Sequence, residues 1–309
     1  MNLSTSSQVD RQRSPQIAMA NVRPTCAPRL NLGVRAHDFG RQPVQTLATS
    51  IAAAGFGGVQ LALNKAIAGL NLAPGDLTSE FARDIGQAFR WQGVEIAVLG
   101  CYINPLHPDL RTRSGLLQFF CDHLRVARDF GCRLVALESG SVNPDYSPHP
   151  ANHDESAFQT LLTSLEPLVA LAEELDVCVG LEAVTSHTVS STAKMRRVLD
   201  TLRSRHLKVV LDPVNLLDTG NVSHQRRLVA EAFDQLGPEV AVLHAKDFIQ
   251  ERGGLKTVPA GSGQLSYAPV LQWIRSVRPG IPILLEEADA FAAPASARYL
   301  KLKFEETNL

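Results

Sequence analysis

Short apolar segments recur along the chain from residue 30 onward, and stretches with helical spacing lie between them. Each segment is four to six residues long and nearly all apolar, which is typical of parallel strands buried on both faces. The predicted strands cover residues 30–34, 58–63, 95–99, 133–137, 177–181, 208–211, 240–243 and 282–285. Eight strands alternating with helices predict a single (β/α)8 TIM barrel over residues 30–309.

A doubly wound open sheet is the alternative fold for such an alternation. That fold usually places a glycine-rich phosphate loop after its first strand. The residues from Arg35 to Gly40 read RAHDFG and do not form such a loop. We therefore expect the barrel.

Two of the intervening segments carry a clear helical pattern. Apolar residues between Gln118 and Phe130 outline one helix, and Gly131 stands where a C-cap is expected. Another helix is predicted over residues 156–175, in which Pro167 predicts a kink or a break.

Residues 1–29 have a different character. They are rich in Ser, Gln, Arg and Pro and show no periodic apolar pattern. Their longest apolar stretch is too short for a secretory signal, and they form no amphipathic helix of the transit-peptide kind. We expect a disordered N-terminal extension.

Composition and charge narrow the class of protein. Of the 309 residues, 45% are hydrophobic and 20% charged, as in a globular protein with a large core. Thirty basic and 31 acidic side chains give a net charge of −1, which argues against a nucleic-acid partner. No apolar run approaches the roughly 18 residues of a membrane span. Five scattered cysteines without a CxxC pair indicate reduced thiols and a cytoplasmic location.

The residues at the strand ends carry the candidate chemistry, because the C-terminal ends of all barrel strands open onto one face. Glu182, Asp212, His244 and Glu286 end four consecutive predicted strands, at separations of 30, 32 and 42 residues. Any one of these residues could be a helix cap or a core histidine without a function. It is less easily explained by chance that four consecutive strands all end in a residue type that binds metals. Buried carboxylates crowded together repel one another, and a divalent cation relieves that repulsion. Three carboxylates and an imidazole suit Mn²⁺ best, with Mg²⁺ or Co²⁺ as alternatives.

Other polar residues follow strands at the same face. The candidates for substrate binding are His37, Tyr102, Asn215 and Lys246, with Lys65, Glu138 and His187 as weaker candidates. Each could bind a substrate or could be a loop or salt-bridge residue. A local ion pair with Asp247 is the alternative that would explain Lys246 without a function. The loop 253–263 could be a lid or a plain connection. Cys101 has no evident base partner.

The set of motifs at the strand ends resembles a known family. Leu181-Glu182, Leu211-Asp212-x-x-Asn215, His244-Ala245-Lys246-Asp247, Gly261-x-Gly263 and Leu285-Glu286 are similar to the sugar phosphate isomerase/epimerase group of xylose isomerase-like barrels. The ketose 3-epimerases of the D-tagatose type belong to this group. The resemblance implies that Glu182, Asp212, His244 and Glu286 bind one divalent metal and that Glu182 and Glu286 are the acid/base pair.

The chain also departs from those epimerases. Asn215 stands where they carry a sugar-contacting His, and Gln250 stands where they carry an Arg. The sugar contacts must therefore differ. The segment from Cys101 to Pro105 is similar to an uncharacterised clade of the same group.

The resemblance implies a metal-dependent sugar or polyol isomerase or epimerase that removes a proton beside a carbonyl and proceeds through an enediolate. A lyase on the same scaffold, of the keto-inositol dehydratase or C-glycoside deglycosidase type, begins with the same proton abstraction. An apurinic-site endonuclease is a remote alternative, since it needs further histidines and a DNA partner. We expect a small-molecule sugar or polyol substrate and no membrane; the sequence leaves open whether the chain forms a homo-oligomer.

Overall fold

The computed structural model describes residues 29–307, and eight of its strands close into a parallel barrel, which confirms the predicted fold. The barrel strands are β1 (Asn31–Arg35), β2 (Gly58–Leu61), β3 (Glu95–Gly100), β4 (Leu134–Glu138), β5 (Cys178–Glu182), β6 (Leu207–Leu211), β7 (Val240–Ala245) and β10 (Pro282–Leu285). Around the barrel they follow the order β1-β10-β7-β6-β5-β4-β3-β2. All eight agree with the sequence prediction to within about two residues at each end, a usual margin for element boundaries. The predicted extension over residues 1–29 lies outside the described residues except for Arg29.

Helices surround the barrel and bury their apolar faces against it. They are α1 (Val44–Ala53), α2 (Leu63–Ala66), α3 (Ser79–Trp91), α4 (Leu110–Val126), α5 (Glu155–Leu175), α6 (Thr192–Leu202), α7 (Gln225–Leu236), α8 (Ala268–Ser276) and α9 (Ala293–Glu306). Short 3₁₀ turns cover Ala36–Phe39, Pro150–His153, Val214–Leu216 and Val222–His224. No helix within residues 29–307 is both long enough and apolar enough to cross a membrane.

Two helix predictions need adjustment. The helix predicted to reach Phe130 ends at Val126, and a turn carries the chain to Gly131. Gly131 has a φ of +81°, a conformation that glycine adopts without strain. The helix α5 continues through Pro167 without a break. The residues around Pro167 are buried against the barrel, and this packing outweighs the one backbone hydrogen bond that proline removes.

The polypeptide between β7 and α8 forms a hairpin rather than a structureless loop. The strands β8 (Asp247–Glu251) and β9 (Gly254–Val258) pair in antiparallel fashion. The loop prediction for residues 253–263 is therefore wrong for its first half. The hairpin emerges beside the C-terminal ends of the barrel strands, because it follows β7 directly.

Candidate metal centre

Four predicted site residues lie together where the strands β5, β6, β7 and β10 end. Glu182 is the last residue of β5, Asp212 and Glu286 directly follow β6 and β10, and His244 is the fifth residue of β7. All four are at most 4% exposed. Parallel strands bring residues that are far apart in sequence to one mouth of the barrel.

The side chains of Glu182, Asp212 and His244 converge on a common point. Each offers a ligand atom, and these atoms lie within 4.8 Å of one another. His244 Nδ1 is 3.2 Å from Glu182 Oε1 and 3.2 Å from Glu286 Oε1. The three residues could therefore hold a metal ion, and Glu286 borders the same point.

Lys246 sits inside this cluster rather than at the open mouth. Its ammonium group is 2.8 Å from Asp212 Oδ2 and 2.9 Å from Glu286 Oε2. Burial alone would lower the pKa of Lys246, but the charges of Asp212 and Glu286 raise it well above its usual value. Among the described residues, Lys246 makes no ion pair with Asp247, so the alternative of a local pair does not account for Lys246.

The charges of the cluster fit a divalent cation. The ionic cluster consists of Glu182, Asp212, His244, Lys246 and Glu286. A metal ion would bind His244 in its neutral form, and three carboxylates would then face one ammonium group. The remaining charge of −2 is one that a buried site would be expected to neutralise. Oxygen and imidazole donors suit Mg²⁺, Mn²⁺ or Zn²⁺, so the residues present fit such an ion.

Asp247 has a structural function next to the site. Its Oδ1 accepts hydrogen bonds from the backbone N–H groups of Phe248 and Leu265, and its Oδ2 accepts one from Gly261. A Cβ atom at Gly263 would lie 2.2 Å from Phe248 O and 2.5 Å from Asp247 Oδ1. The Gly261-x-Gly263 motif thus lets the chain return from the hairpin close to Asp247.

Gln60 is a site residue that the sequence analysis missed. It is fully buried in β2, and its Oε1 lies 2.6 Å from His244 Nε2. Its amide group donates to the hydroxyl of Tyr102. A carbonyl oxygen can only accept, so Gln60 favours a proton on His244 Nε2 and leaves Nδ1 to face the carboxylates. The sequence signal that could have identified Gln60 is that it is the polar residue in the otherwise apolar strand Gly58–Leu61.

The carboxylates in the ionic cluster differ in their surroundings. Glu182 Oε1 accepts a 2.7 Å hydrogen bond from Asn215, whereas both oxygens of Glu286 face cationic partners: His244, Lys246 and Arg35. Burial raises the pKa of Glu286, but Lys246 and His244 outweigh burial and hold the pKa below its usual range. Burial lowers the pKa of His244, but Glu286 and Glu182 raise it to about 9.

The predicted substrate-binding residues fall into two groups. Asn215 and Lys246 point their donors at carboxylates of the ionic cluster, and Tyr102 accepts from Gln60. His37 is half-buried, and its Nδ1 has no hydrogen-bond partner among the described residues. Burial, followed by the charge of Arg35, lowers the pKa of His37 to about 4. Of the four predicted substrate-binding residues, His37 is the one with a buried polar atom that makes no hydrogen bond to the described residues.

Lys65 and Glu138 lie at the mouth as well. The Lys65 ammonium group is 4.6 Å from the centre of the Tyr102 ring, a cation–π arrangement. Burial, followed by the charges of Glu182 and Glu286, raises the pKa of Glu138 to about 7.

A second group of polar residues lies beside β4 and β5. We call Glu138, Tyr146 and His187 the Tyr146 cluster. Its rings meet edge to face, with the centres of Tyr146 and His187 5.0 Å apart. His187 Nδ1 is 3.3 Å from Glu138 Oε2, in a geometry that forms no hydrogen bond. Sequence analysis did not single out Tyr146, because it lies in a polar loop that follows β4 after seven residues.

Comparison with known proteins places these features in context. A family model described as a xylose isomerase-like TIM barrel matches residues 49–303. A search of curated protein sequences finds no match.

Solved structures match over most of the chain. A D-tagatose 3-epimerase-like protein has a TM-score of 0.72 at 17% identity, over 90% of this chain and 98% of that one. A 3-keto-D-glucoside 4-epimerase from E. coli has 0.67 at 15% identity, over 89% and 100%. A xylose isomerase-like TIM barrel protein from Mycobacterium smegmatis in complex with magnesium has 0.65 at 11% identity, over 89% and 96%. At these identities the likeness concerns the fold.

Proposed function

The chain belongs to the xylose isomerase-like TIM barrel family, and from this premise we propose that it is a divalent-metal-dependent sugar or polyol isomerase or epimerase. The observation that carries the proposal is the convergence of Glu182, Asp212 and His244 within 4.8 Å at the mouth, with Glu286 beside them. The sugar epimerases among the structural neighbours support the same class of reaction.

Glu182, Asp212, His244 and Glu286 are the proposed metal ligands. A divalent ion bound there would supply positive charge that acidifies the C–H bond beside a substrate carbonyl. Lys246 holds Asp212 and Glu286 at 2.8 and 2.9 Å and compensates part of their negative charge. Mn²⁺ is the ion we expect in the cell, and the donor set is also compatible with Mg²⁺ or Co²⁺.

Glu182 and Glu286 are the proposed acid/base pair, and their surroundings differ. No hydrogen-bond donor among the described residues reaches Glu182 Oε2, whereas three cationic side chains engage both oxygens of Glu286. A carboxylate held ionised by cations is a weaker base than one with a free oxygen. We therefore assign the first proton abstraction to Glu182.

Substrate binding completes the proposal. His37 offers a buried nitrogen without a hydrogen-bond partner among the described residues. Asn215 and Lys246 orient carboxylates of the ionic cluster, and Tyr102 contacts Gln60. A sugar or polyol bound across the mouth would place a carbon-bound proton beside Glu182 and its carbonyl oxygen near the metal ligands.

The test measures proton exchange in the metal-loaded chain. Ketoses and keto-polyols are incubated with the protein and Mn²⁺ in D₂O, and deuterium at carbon is followed by NMR. An epimerase introduces the label at the inverted carbon and retains every leaving group. Release of water or an aglycone instead identifies the lyase. An active substrate that turns over without any solvent label contradicts the mechanism.

A further inference from the structure

Tyr146 has an unusual backbone conformation for a bulky residue. Its φ is +70°, the left-handed region that L-residues other than glycine, asparagine and aspartate rarely adopt. Strained residues of this kind persist where the surroundings hold them, and they concentrate at functional sites.

The loop around Tyr146 is held firmly on both sides. Asn104 donates from its amide to Ser141 O at 2.8 Å and to Asn143 O at 3.0 Å. Asn143 in turn donates to Ser147 Oγ at 3.0 Å, and Tyr146 N donates to Asn143 O at 3.1 Å. These bonds fix the residues before and after Tyr146, so its conformation belongs to an ordered loop.

The hydroxyl of Tyr146 is buried without a hydrogen-bond partner among the described residues, and so is His187 Nδ1. A buried polar atom that loses water and gains no partner is unfavourable. The two atoms belong to rings in contact, 5.0 Å between centres. A ligand that hydrogen-bonds to both would satisfy them together.

The position of the hydroxyl relates it to the proposed reaction. The ring of Tyr146 contacts His187, whose Nδ1 lies 3.3 Å from Glu138 Oε2. Glu138 ends β4 in register with Glu182 at the end of β5, so the cluster adjoins the proposed base. Burial lowers the pKa of His187 to about 4, so its ring is neutral near pH 7. Within residues 29–307 the cluster contains one carboxylate and no ammonium or guanidinium group in contact with it.

We propose that Tyr146 and His187 form a subsite that binds a hydroxyl group on an uncharged part of the substrate. Two neutral polar atoms match a hydroxyl, which both donates and accepts. A phosphate or carboxylate at this position would face Glu138. The inference rests on the proposed function and adds that the substrate end over β4 and β5 is not phosphorylated.

The first experiment measures binding of polyols. Xylitol, D-sorbitol and myo-inositol are titrated calorimetrically into the full chain loaded with Mg²⁺. We expect at least one to bind and Tyr146→Phe to weaken it about two- to tenfold, the effect of one hydrogen bond. His187→Asn should weaken it as well. Tyr299→Phe, the same change on α9, should leave the affinity unchanged.

A second experiment separates a binding role from a structural one by measuring thermal unfolding. Tyr146→Phe removes an unpaired hydroxyl and should be at least as stable as the wild type. Tyr267 is also buried, but its hydroxyl donates to Lys246 O at 2.8 Å, so Tyr267→Phe should be less stable. Loss of stability in Tyr146→Phe equal to that in Tyr267→Phe would overturn the proposal.

Three further outcomes of the binding experiment also overturn it. The first is a wild-type chain that binds none of the three polyols, and the second is a Tyr146→Phe variant that binds them as well as the wild type. The third is tighter binding of D-sorbitol 6-phosphate than of D-sorbitol, with the gain lost in Tyr146→Phe. A separate titration with Mg²⁺ alone tests the proposed function, because failure to bind Mg²⁺ counts against it. The polyol titrations are also repeated without metal, and their dependence on Tyr146 decides the subsite separately.

Discussion

On the β6, β7 and β10 side of the mouth, the buried charges face one another, with Lys246 2.8 Å from Asp212 and 2.9 Å from Glu286. On the β4 and β5 side, Tyr146 and His187 each bury a polar atom that finds no partner among the described residues. The ionic cluster is organised around a cation before any substrate arrives. In our proposal, the Tyr146 cluster is completed by a hydroxyl group of the substrate. The proposal thus assigns metal binding to the ionic cluster and substrate selection to the Tyr146 cluster.

Glu182 is a proposed metal ligand as well as the proposed base, and its replacement should have the largest effect. Glu182→Gln keeps the size of the side chain and removes the proposed base, so turnover should fall by roughly 10²–10⁴. Glu286→Gln should also lower turnover. The rate is measured with the substrate found in the exchange screen, on samples with equal metal content. Glu166→Gln, on the exposed face of α5, is the control, and full activity of both site variants would disprove the assignment.

Truncating one histidine on each side tests whether the two clusters are distinct. His244→Ala removes a proposed ligand and should reduce Mn²⁺ affinity by more than the roughly 10- to 100-fold expected for an outer partner. His187→Ala removes a histidine that is also buried but is not a proposed ligand, so the affinity should stay as in the wild type. Calorimetric titration measures both. Equal losses in the two variants would mean that the metal site has been misplaced.

Replacing Gln60 tests whether this residue orients His244 for metal binding. Gln60→Leu removes the acceptor that faces His244 Nε2 at 2.6 Å, and Mn²⁺ affinity should fall about 10- to 100-fold. Gln60→Glu keeps an acceptor and should restore most of the affinity. The ¹⁵N shifts of His244 in the Mg²⁺-loaded protein report the tautomer directly. An unchanged tautomer in Gln60→Leu would show that another group orients the ring.

We expect the free energy of unfolding to depend on pH through His187 in the Tyr146 cluster. Its pKa is lowered to about 4 by burial, whereas an unfolded histidine titrates near 6.5. The unfolded state therefore takes up the proton first, and stability is lost as the pH falls from 6.5 towards 4. Between pH 7 and pH 5 this contribution amounts to about 2 kcal/mol.

Urea unfolding measures the contribution of His187 to stability when the wild type and His187→Gln are compared at pH 7 and pH 5. The variant should lose about 2 kcal/mol less on acidification. His37, whose pKa is also lowered to about 4, is present in both proteins and cancels in the comparison. Parallel losses in the two proteins would indicate that His187 is not buried in its neutral form.

The parts of the molecule that depend on local pattern could be predicted from the sequence. The eight barrel strands are continuous apolar runs because both of their faces are buried, and each was confirmed. Of the kink or break predicted at Pro167, a break is absent, because the packing of α5 against the barrel outweighs a local preference. The alternative of a Lys246–Asp247 pair is not observed, because adjacency in sequence does not tell which strand an inward-pointing side chain faces.

The sequence by itself determined the barrel and the four strand-end residues, since a parallel barrel gathers its strand ends at one mouth whatever the lengths of the connections. Only the tertiary structure decided how those residues are charged and what surrounds them. Gln60 stands 184 residues before His244, and Tyr146 meets His187 across two different loops. Hydrogen-bond partners and burial depend on side chains that meet across the barrel. The local pattern of one segment does not predict which distant residue will contact it.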